Sequence, residues 1–343
     1  MNVLSLFDGM SCGQQALNRL GIKYDNYYAS ELDKYAIQIT QKNFPDTIQL
    51  GDVCGVVAKD LPKDIDLLLA GSPCQGFSFA GKQLAFDDPR SALFFEFIRL
   101  LRELKPKYFL LENVRMKKEY LDVITEQVGG VEPILINSKL VSAQNRQRYY
   151  WTNIPNVTQP EDKGIVLRDV LETTPDNYTL MSDKFGDYLA CDTYGTPKQV
   201  GTAVDINGHD ILKRVYSPDG KSPTLNAHGG GNTEPKVVTA AWRGRYKIDG
   251  VRQDGKGSVA GKTTQMLELR KDEKTNALTT VQKDNVVVDN DTMNWRKLTP
   301  LECERLQTVD DNYTEGVSNT QRYKMLGNGW TIDVISHILN HIK

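Results

Sequence analysis

The sequence has no C-x-x-C pair and no cysteine–histidine cluster. Its five cysteines stand apart at 12, 54, 74, 191 and 303, and it has only four histidines. An odd count with open spacing argues against a structural zinc site or any other metal centre, and against a disulfide framework. Free thiols suit a reducing cytoplasm. No run of about 18 apolar residues is present, so no membrane span is expected. The N-terminus goes straight into MNVLSLFDG, without a basic leader or a small-residue cleavage site, so no signal peptide is expected either. Neither charge sign is in excess: 42 Lys and Arg against 44 Asp and Glu leave −2. Any nucleic-acid contact must therefore come from local charge. The first loop is neither G-x-G-x-x-G nor a phosphate loop, so dinucleotide binding is not its natural reading. What remains is ordinary globular composition, 39% hydrophobic and 25% charged over 343 residues. That length suits two domains, or one large domain with an insertion.

Residues 1–155 alternate between strand and helix patterns. Val3–Phe7 and Tyr27–Ser30 read as strands, and Ile65–Ala70 and Tyr108–Leu111 are continuous apolar runs typical of strands buried on both faces. Helical spacing appears over Gly13–Leu20, Leu32–Phe44 and Ser91–Leu104. This alternation predicts a doubly wound, mostly parallel sheet whose ligands lie beyond the carboxyl ends of its strands. Residues 156–293 are richer in Gly, Thr, Asn, Asp and Lys, with short strand-like pieces at Lys236–Ala241 and Asn285–Val288. KSPTLNAHGGGNTEPKVV (221–238) weakly echoes EKTNALTTVQKDNVVV (273–288), as two similar hairpins or by chance. Between 236 and 262, seven Lys and Arg face two Asp, which reads equally as a solvated face or as a phosphate-contacting surface. Helical patterning returns in 294–343. An α/β core (1–155) is thus split by a β-rich insertion (156–293) before the last segment rejoins it.

Several residues at strand ends carry chemistry. FDGMSCG (7–13) leaves the first strand with two glycines that allow close approach of a ligand. Glu31 in ASELD ends the second strand, where a carboxylate can hold a ribose diol or cap the next helix. Asp52 ends a third segment, and the three would line one adenosine-sized cleft. Cys74 in GSPCQGFS follows a buried strand, on a turn held by Pro73 and Gly76. A lone cysteine is more often a buried hydrophobe, but at a ligand edge it suits a nucleophile. Glu112 in FLLENV lies at the neighbouring strand end, where a desolvated carboxyl group can donate a proton. In SAQNRQRYYW, Arg146 and Arg148 alternate into a strand that would aim both guanidiniums at that cleft. Surface salt bridges are the alternative.

FDGMSCG, GSPCQGFS, ENV, QNRQRYYW, RKLTPLECERLQT (296–308) and GNGW (327–330), in this order, resemble the DNA (cytosine-5)-methyltransferases. The resemblance covers 1–155 and 294–343. It implies a Rossmann-like methyltransferase fold with a smaller β-rich target-recognition domain at 156–293. Cys74 would be the nucleophile toward C6 of a flipped cytosine. Glu112 would hold the base at N3 and its amine, Arg148 would hold O2, and Arg146 would support the same site. The resemblance implies S-adenosylmethionine as cofactor, with S-adenosylhomocysteine as product. Phe7, Asp8, Gly9, Gly13, Glu31, Leu32, Asp52, Val53, Pro73, Asn328 and Trp330 would bind it. Double-stranded DNA is the implied partner, with Gln75, Ser78 and Arg90 on a closing loop (76–90) and Arg243 and Arg245 in the insertion as contacts.

A monomer on DNA in the cytoplasm of a bacterium or phage-infected host is expected, with a restriction endonuclease partner, a phage role and an orphan role all open. The rival reading is a tRNA (cytosine-5)-methyltransferase, whose Cys-Phe-Thr signature this chain lacks. A catalytically silent DNA-binding homologue is disfavoured because Cys74, Glu112 and both arginines are present.

Overall fold

The first strand, β1 (Asn2–Leu6), is buried along its whole length, as its apolar run requires. Backbone N–H groups in such a strand must be paired on both sides, and β1 lies between two parallel neighbours. The computed structural model describes residues 1–72, 92–172 and 295–342, together with short strands between 224 and 288. Contacts divide the chain into two units. The first holds 1–137, 147–161 and 329–343, and the second holds 138–146 and 162–328. The sequence boundaries at 155 and 294 cut the chain differently.

In the first unit, β1 is followed by α1 (Cys12–Arg19), β2 (Asn26–Ser30), α2 (Lys34–Asn43), β3 (Ile48–Gln49), β4 (Ile65–Gly71), α3 (Ala92–Leu104), β5 (Tyr108–Val114), α4 (Lys118–Gln127) and β6 (Ile134–Asn137). After a short second-unit strand, β7 (Gln144–Asn145), β8 (Gln147–Thr152) returns to the sheet. The sheet order is β3-β2-β1-β4-β5-β8-β6. β8 runs antiparallel to both neighbours, and the pairings among β1 to β5 are all parallel. The result is the expected Rossmann-like, mostly parallel sheet.

Leu4, Leu6, Leu68 and Leu111 of the sheet meet Phe94, Phe97 and Ile98 of α3 and Trp151 of β8 in one apolar core. Asp33 caps α2 by accepting from the Tyr35 N–H at 2.9 Å. Gly13 lets α1 settle on the sheet: a Cβ there would sit 2.6 Å from Leu69 Cδ1 and 2.7 Å from the Tyr27 hydroxyl. The last helix (Ile332–Leu339) packs on α1 with Arg19 Nη1 2.6 Å from Asp333 Oδ1.

The second unit is strand-rich, as the composition of 156–293 suggests. Lys236–Arg245 pairs antiparallel with Thr264–Leu269 and parallel with Val286–Val288. Described strands of the two echoing segments pair in parallel, Thr224 opposite Leu278 and Val238 opposite Val286. Helices α5 (Pro300–Leu306) and α6 (Asn319–Asn328) belong here, and α7 (Ile332–Leu339) belongs to the first unit. Thr299 and Glu302 form a capping box at α5. No helix among the described residues is long and apolar enough to cross a membrane.

One interior charge holds the region after α5. Glu304 is fully buried and accepts from the backbone N–H groups of Asn312 at 2.7 Å and Thr314 at 2.9 Å. Arg322 Nη2 donates to it at 2.9 Å. Removing one partner of such a pair strands the other charge, at a cost of about 3–5 kcal/mol. Glu304→Ala should lower unfolding stability by about that much, read by chemical denaturation. A loss under about 1 kcal/mol would mean the pair is solvated.

Candidate active site

Parallel strands present their carboxyl ends along one edge, and a crevice opens where the strand order reverses. Here the order reverses between β1 and β4, so the FDGM turn follows a strand that neighbours β4, the strand preceding Pro73 and Cys74 in sequence. Pro73, Cys74, Gln75, Ser78, Arg90 and the rest of the 76–90 loop lie outside the described residues.

The turn after β1 is unusual in its backbone. Phe7, Gly9 and Ser11 all adopt positive φ, at 57°, 60° and 62°. For Phe and Ser this is a strained conformation that the surroundings must hold. Asp8 N donates to the Ser30 carbonyl at 3.1 Å. Gly9 N donates to Glu31 Oε2 at 2.7 Å, while Glu31 Oε1 accepts from the N–H groups of Leu32 and Asp33, both at 2.8 Å. Glu31 therefore ties two strand-end turns together. Leu32 is 70% exposed, an apolar side chain offered to whatever occupies the edge. Asp52 is exposed and accepts from Cys54 N at 3.0 Å, and the Val53 side chain belongs to the core.

Asp8 is buried. The Tyr27 hydroxyl donates to Oδ1 at 2.8 Å, and Oδ2 accepts from none of the described residues. Burial raises its pKa from 3.8 to about 6. The hydroxyls of Ser5, Ser11 and Tyr27 pull it down, and the charge of Glu31 adds to the rise. Sequence reasoning missed Tyr27, which looks like any strand aromatic. The one available signal was Gly13, whose missing side chain makes room inward for Tyr27 and Leu69.

Further along the edge, β5 pairs with β4 so that Glu112 lies beside Gly71. β8 pairs with β5 so that Tyr150 faces Glu112 and Arg148 faces Val114. Arg148 is thus the diagonal neighbour of Glu112 on one face, and its Nε is 2.9 Å from Glu112 Oε1 in a largely buried pair. The approach lies off the N–H axis. Oε1 accepts no hydrogen bond among the described residues and stays available as an acceptor. Asn113, which the sequence reading passed over, donates from Nδ2 to Ser72 Oγ at 3.0 Å and so anchors the residue where β4 ends. Trp330 lies against Gly71: a Cβ there would sit 2.8 Å from the indole Nε1.

Four assigned residues lie in the second unit. Arg146 is buried and donates to the Gly327 carbonyl at 3.2 Å, so the structure does not place it on the strand that carries Arg148. Asn328 ends α6 and is exposed. Arg243 and Arg245 are two apart on Lys236–Arg245, in register with Met266 and Thr264. Among the described cysteines, Cys12 and Cys303 are buried and Cys54 is exposed. Burial pushes the Cys303 thiol well up, and desolvation and Asp52 raise that of Cys54, so neither is tuned as a thiolate. No group of metal-binding side chains occurs among the described residues.

Residues 1–343 match the family model described as C-5 cytosine-specific DNA methylase. Among curated proteins, the chain is 28% identical to the orphan methyltransferase M.SPBetaI of Bacillus phage SPbeta, covering 100% of this chain and 97% of the relative. It is also 28% identical to the type II methyltransferase M.HhaI of Haemophilus parahaemolyticus, covering 100% and 94%. Among solved structures, the methyltransferase EhMeth of Entamoeba histolytica superposes with a TM-score of 0.62 at 17% identity, covering 99% of this chain and 97% of the other. That likeness supports the fold.

The buried Asp8 makes stability depend on pH. A carboxyl raised in the folded state favours folding fully below its ordinary 3.8 and loses that contribution as pH rises through about 6. The ligand-free protein should lose up to about 3 kcal/mol across that interval at about 1.4 kcal/mol per unit, and Asp8→Asn should flatten the slope. Urea melts from pH 4 to 7 on both proteins check it. An unchanged slope in the variant would assign the dependence elsewhere.

Proposed function

The chain belongs to the C-5 cytosine-specific DNA methylases, and from that premise we propose that it methylates C5 of a cytosine within one specific sequence of double-stranded DNA, using S-adenosylmethionine. The observation that carries this reading is the buried Glu112–Arg148 pair, one strand from β4, the strand that precedes PCQ in the sequence. The strand-end residues suit the cofactor. Glu31 supplies a fixed carboxylate for a ribose diol, and Leu32 an exposed apolar face for a purine. Asp8 offers an unpaired oxygen, and Gly9 a turn on which a Cβ would meet nothing within 4 Å.

S-adenosylmethionine supplies an electrophilic methyl group. The protein's part is to make C5 of the base a nucleophile. The target cytosine is flipped from the duplex. The Cys74 thiolate forms a bond to C6, and Glu112 holds N3 and the exocyclic amine, so the charge that reaches the ring is neutralised. Arg148 holds O2 and, through its pairing, holds Glu112 in place. After C5 is methylated its proton leaves and the Cys74–C6 bond breaks, restoring the aromatic ring. Arg243 and Arg245 contact DNA with Gln75, Ser78 and Arg90. The protein works as a monomer in the cytoplasm, and where it serves modification its partner is a restriction endonuclease of the same specificity.

The test is bisulfite sequencing of plasmid DNA from a methylation-free host expressing the chain. Cytosines in one short context should be protected, and Cys74→Ser should abolish protection. Arg148→Lys should lower kcat by about 10²–10³. If no cytosine is protected while labelled methyl appears in tRNA, the DNA reading fails and an RNA substrate replaces it.

A further inference from the structure

Two buried groups meet at the turn after β1: the Tyr27 phenol, carried by β2, and the carboxyl of Asp8, whose partner on the cofactor is not assigned above. Tyr27 is 1% exposed, and its hydroxyl donates to Asp8 Oδ1 at 2.8 Å. Gly13 leaves the space that this hydroxyl occupies. The arrangement fixes one carboxylate oxygen and leaves the other without a partner among the described residues. A buried oxygen of this kind costs free energy unless something completes it. It stands in the loop that the reading above gives to the cofactor, beside the strand edge where Glu31 and Leu32 wait. Each of the four hydroxyl or carboxyl groups around Asp8 can be named. Ser5 comes from β1, Tyr27 from β2, Ser11 from the turn itself and Glu31 from the turn after β2. None of these is a cation, and a cationic donor makes the stronger, charge-assisted bond to a carboxylate.

We propose that Tyr27 and Asp8 form a buried anionic seat for the positive charge of the methyl donor, with Tyr27 as the positioning residue that orients Asp8 and keeps Oδ2 for the ligand. The proposal rests on the cofactor reading above. Its consequence is proton linkage. The donor binds the ionised carboxylate, so a protonated Asp8 must release its proton to solvent when the donor enters. In the free protein burial holds Asp8 near 6. Donor affinity should therefore fall as pH drops below that value, approaching about tenfold per pH unit for one linked proton. The donor has two sources of positive charge, its α-ammonium and its sulfonium. S-adenosylhomocysteine keeps only the ammonium, and methylthioadenosine has neither.

The experiment measures the Kd of all three compounds for the full chain by calorimetry between pH 5 and pH 8. S-adenosylmethionine should weaken below about pH 6, and methylthioadenosine should stay level. If S-adenosylhomocysteine weakens too, the seat takes the ammonium. If it stays level, the seat takes the sulfonium. Asp8→Asn should remove the pH dependence. Tyr27→Phe removes a hydrogen bond that favours ionised Asp8, so it should move the break in the curve to higher pH. A merely structural Tyr27 would instead weaken binding equally at every pH. The proposal is overturned if the three compounds share one pH profile, or if Asp8→Asn keeps the wild-type curve. If none of the three binds even at pH 8, the cofactor reading itself falls and this proposal with it.

Discussion

The carboxylate of Glu31 is the tie on which the first half of the cleft depends. It ends β2, yet one of its oxygens accepts from Gly9 across the turn after β1, and the other accepts from the two residues that open the approach to α2. Charge-assisted hydrogen bonds to backbone N–H groups are among the stronger ones available. Here they act where the backbone is least comfortable, on a turn with three positive φ angles of which only one belongs to glycine. Remove that tie and the left-handed Phe7 and Ser11 lose one of the constraints that hold them. The buried Asp8 between them then loses its fixed relation to Tyr27. A ribose-binding acid that also ties down the neighbouring loop is preorganised: its geometry is set before any ligand arrives, so less ordering is left for binding to do.

The other half of the edge is held by strand register. Glu112 and Arg148 are far apart in sequence, but β5 and β8 pair antiparallel and put them on one face as diagonal neighbours. Placing a buried ion pair on two adjacent strands of a sheet makes its geometry a property of the sheet. Asn113, next to Glu112 but on the opposite face by strand alternation, donates to Ser72 and fixes the end of β4 from the other side. The ENV tripeptide thus serves the pair with its first residue and the end of the β4 strand with its second.

Much of this was legible in the chain itself. Polar residues that interrupt apolar runs at strand ends, such as Asp8, Glu31 and Glu112, stand out against the strands that carry them. Sheet class followed from runs such as Ile65–Ala70, too apolar to face water on either side. What escaped was of three physical kinds. Tyr27 functions through its hydroxyl, and sequence pattern counts it only as a strand aromatic. Gly13 looks like a glycine that admits a ligand, although the atoms crowding it come from Tyr27 and Leu69 of the sheet below. Glu302 and Glu304 sit in a charged helix, PLECERL, whose pattern gives no sign of their burial, yet both are fully buried because caps and neighbouring backbone satisfy them.

The segment QNRQR shows why spacing alone misleads. Alternation with period two puts Arg146 and Arg148 on one face of a strand, and that holds only if the strand is continuous. It is not: β7 stops at Asn145, β8 starts at Gln147, and Arg146 falls at the break. From there the two guanidiniums go to different interiors. Arg148 reaches a carboxylate in the sheet-bearing unit. Arg146 donates to the carbonyl of Gly327, in a region where Gln144 already donates to Leu306 and Gln307 to Leu326. A buried arginine satisfied by a backbone carbonyl stabilises the carbonyl's helix end as much as it positions the arginine. The same short motif therefore supplies a charge partner to one unit and a hydrogen-bonding anchor to the other. Lysine, with one nitrogen and no planar fork, is a poor substitute at either target.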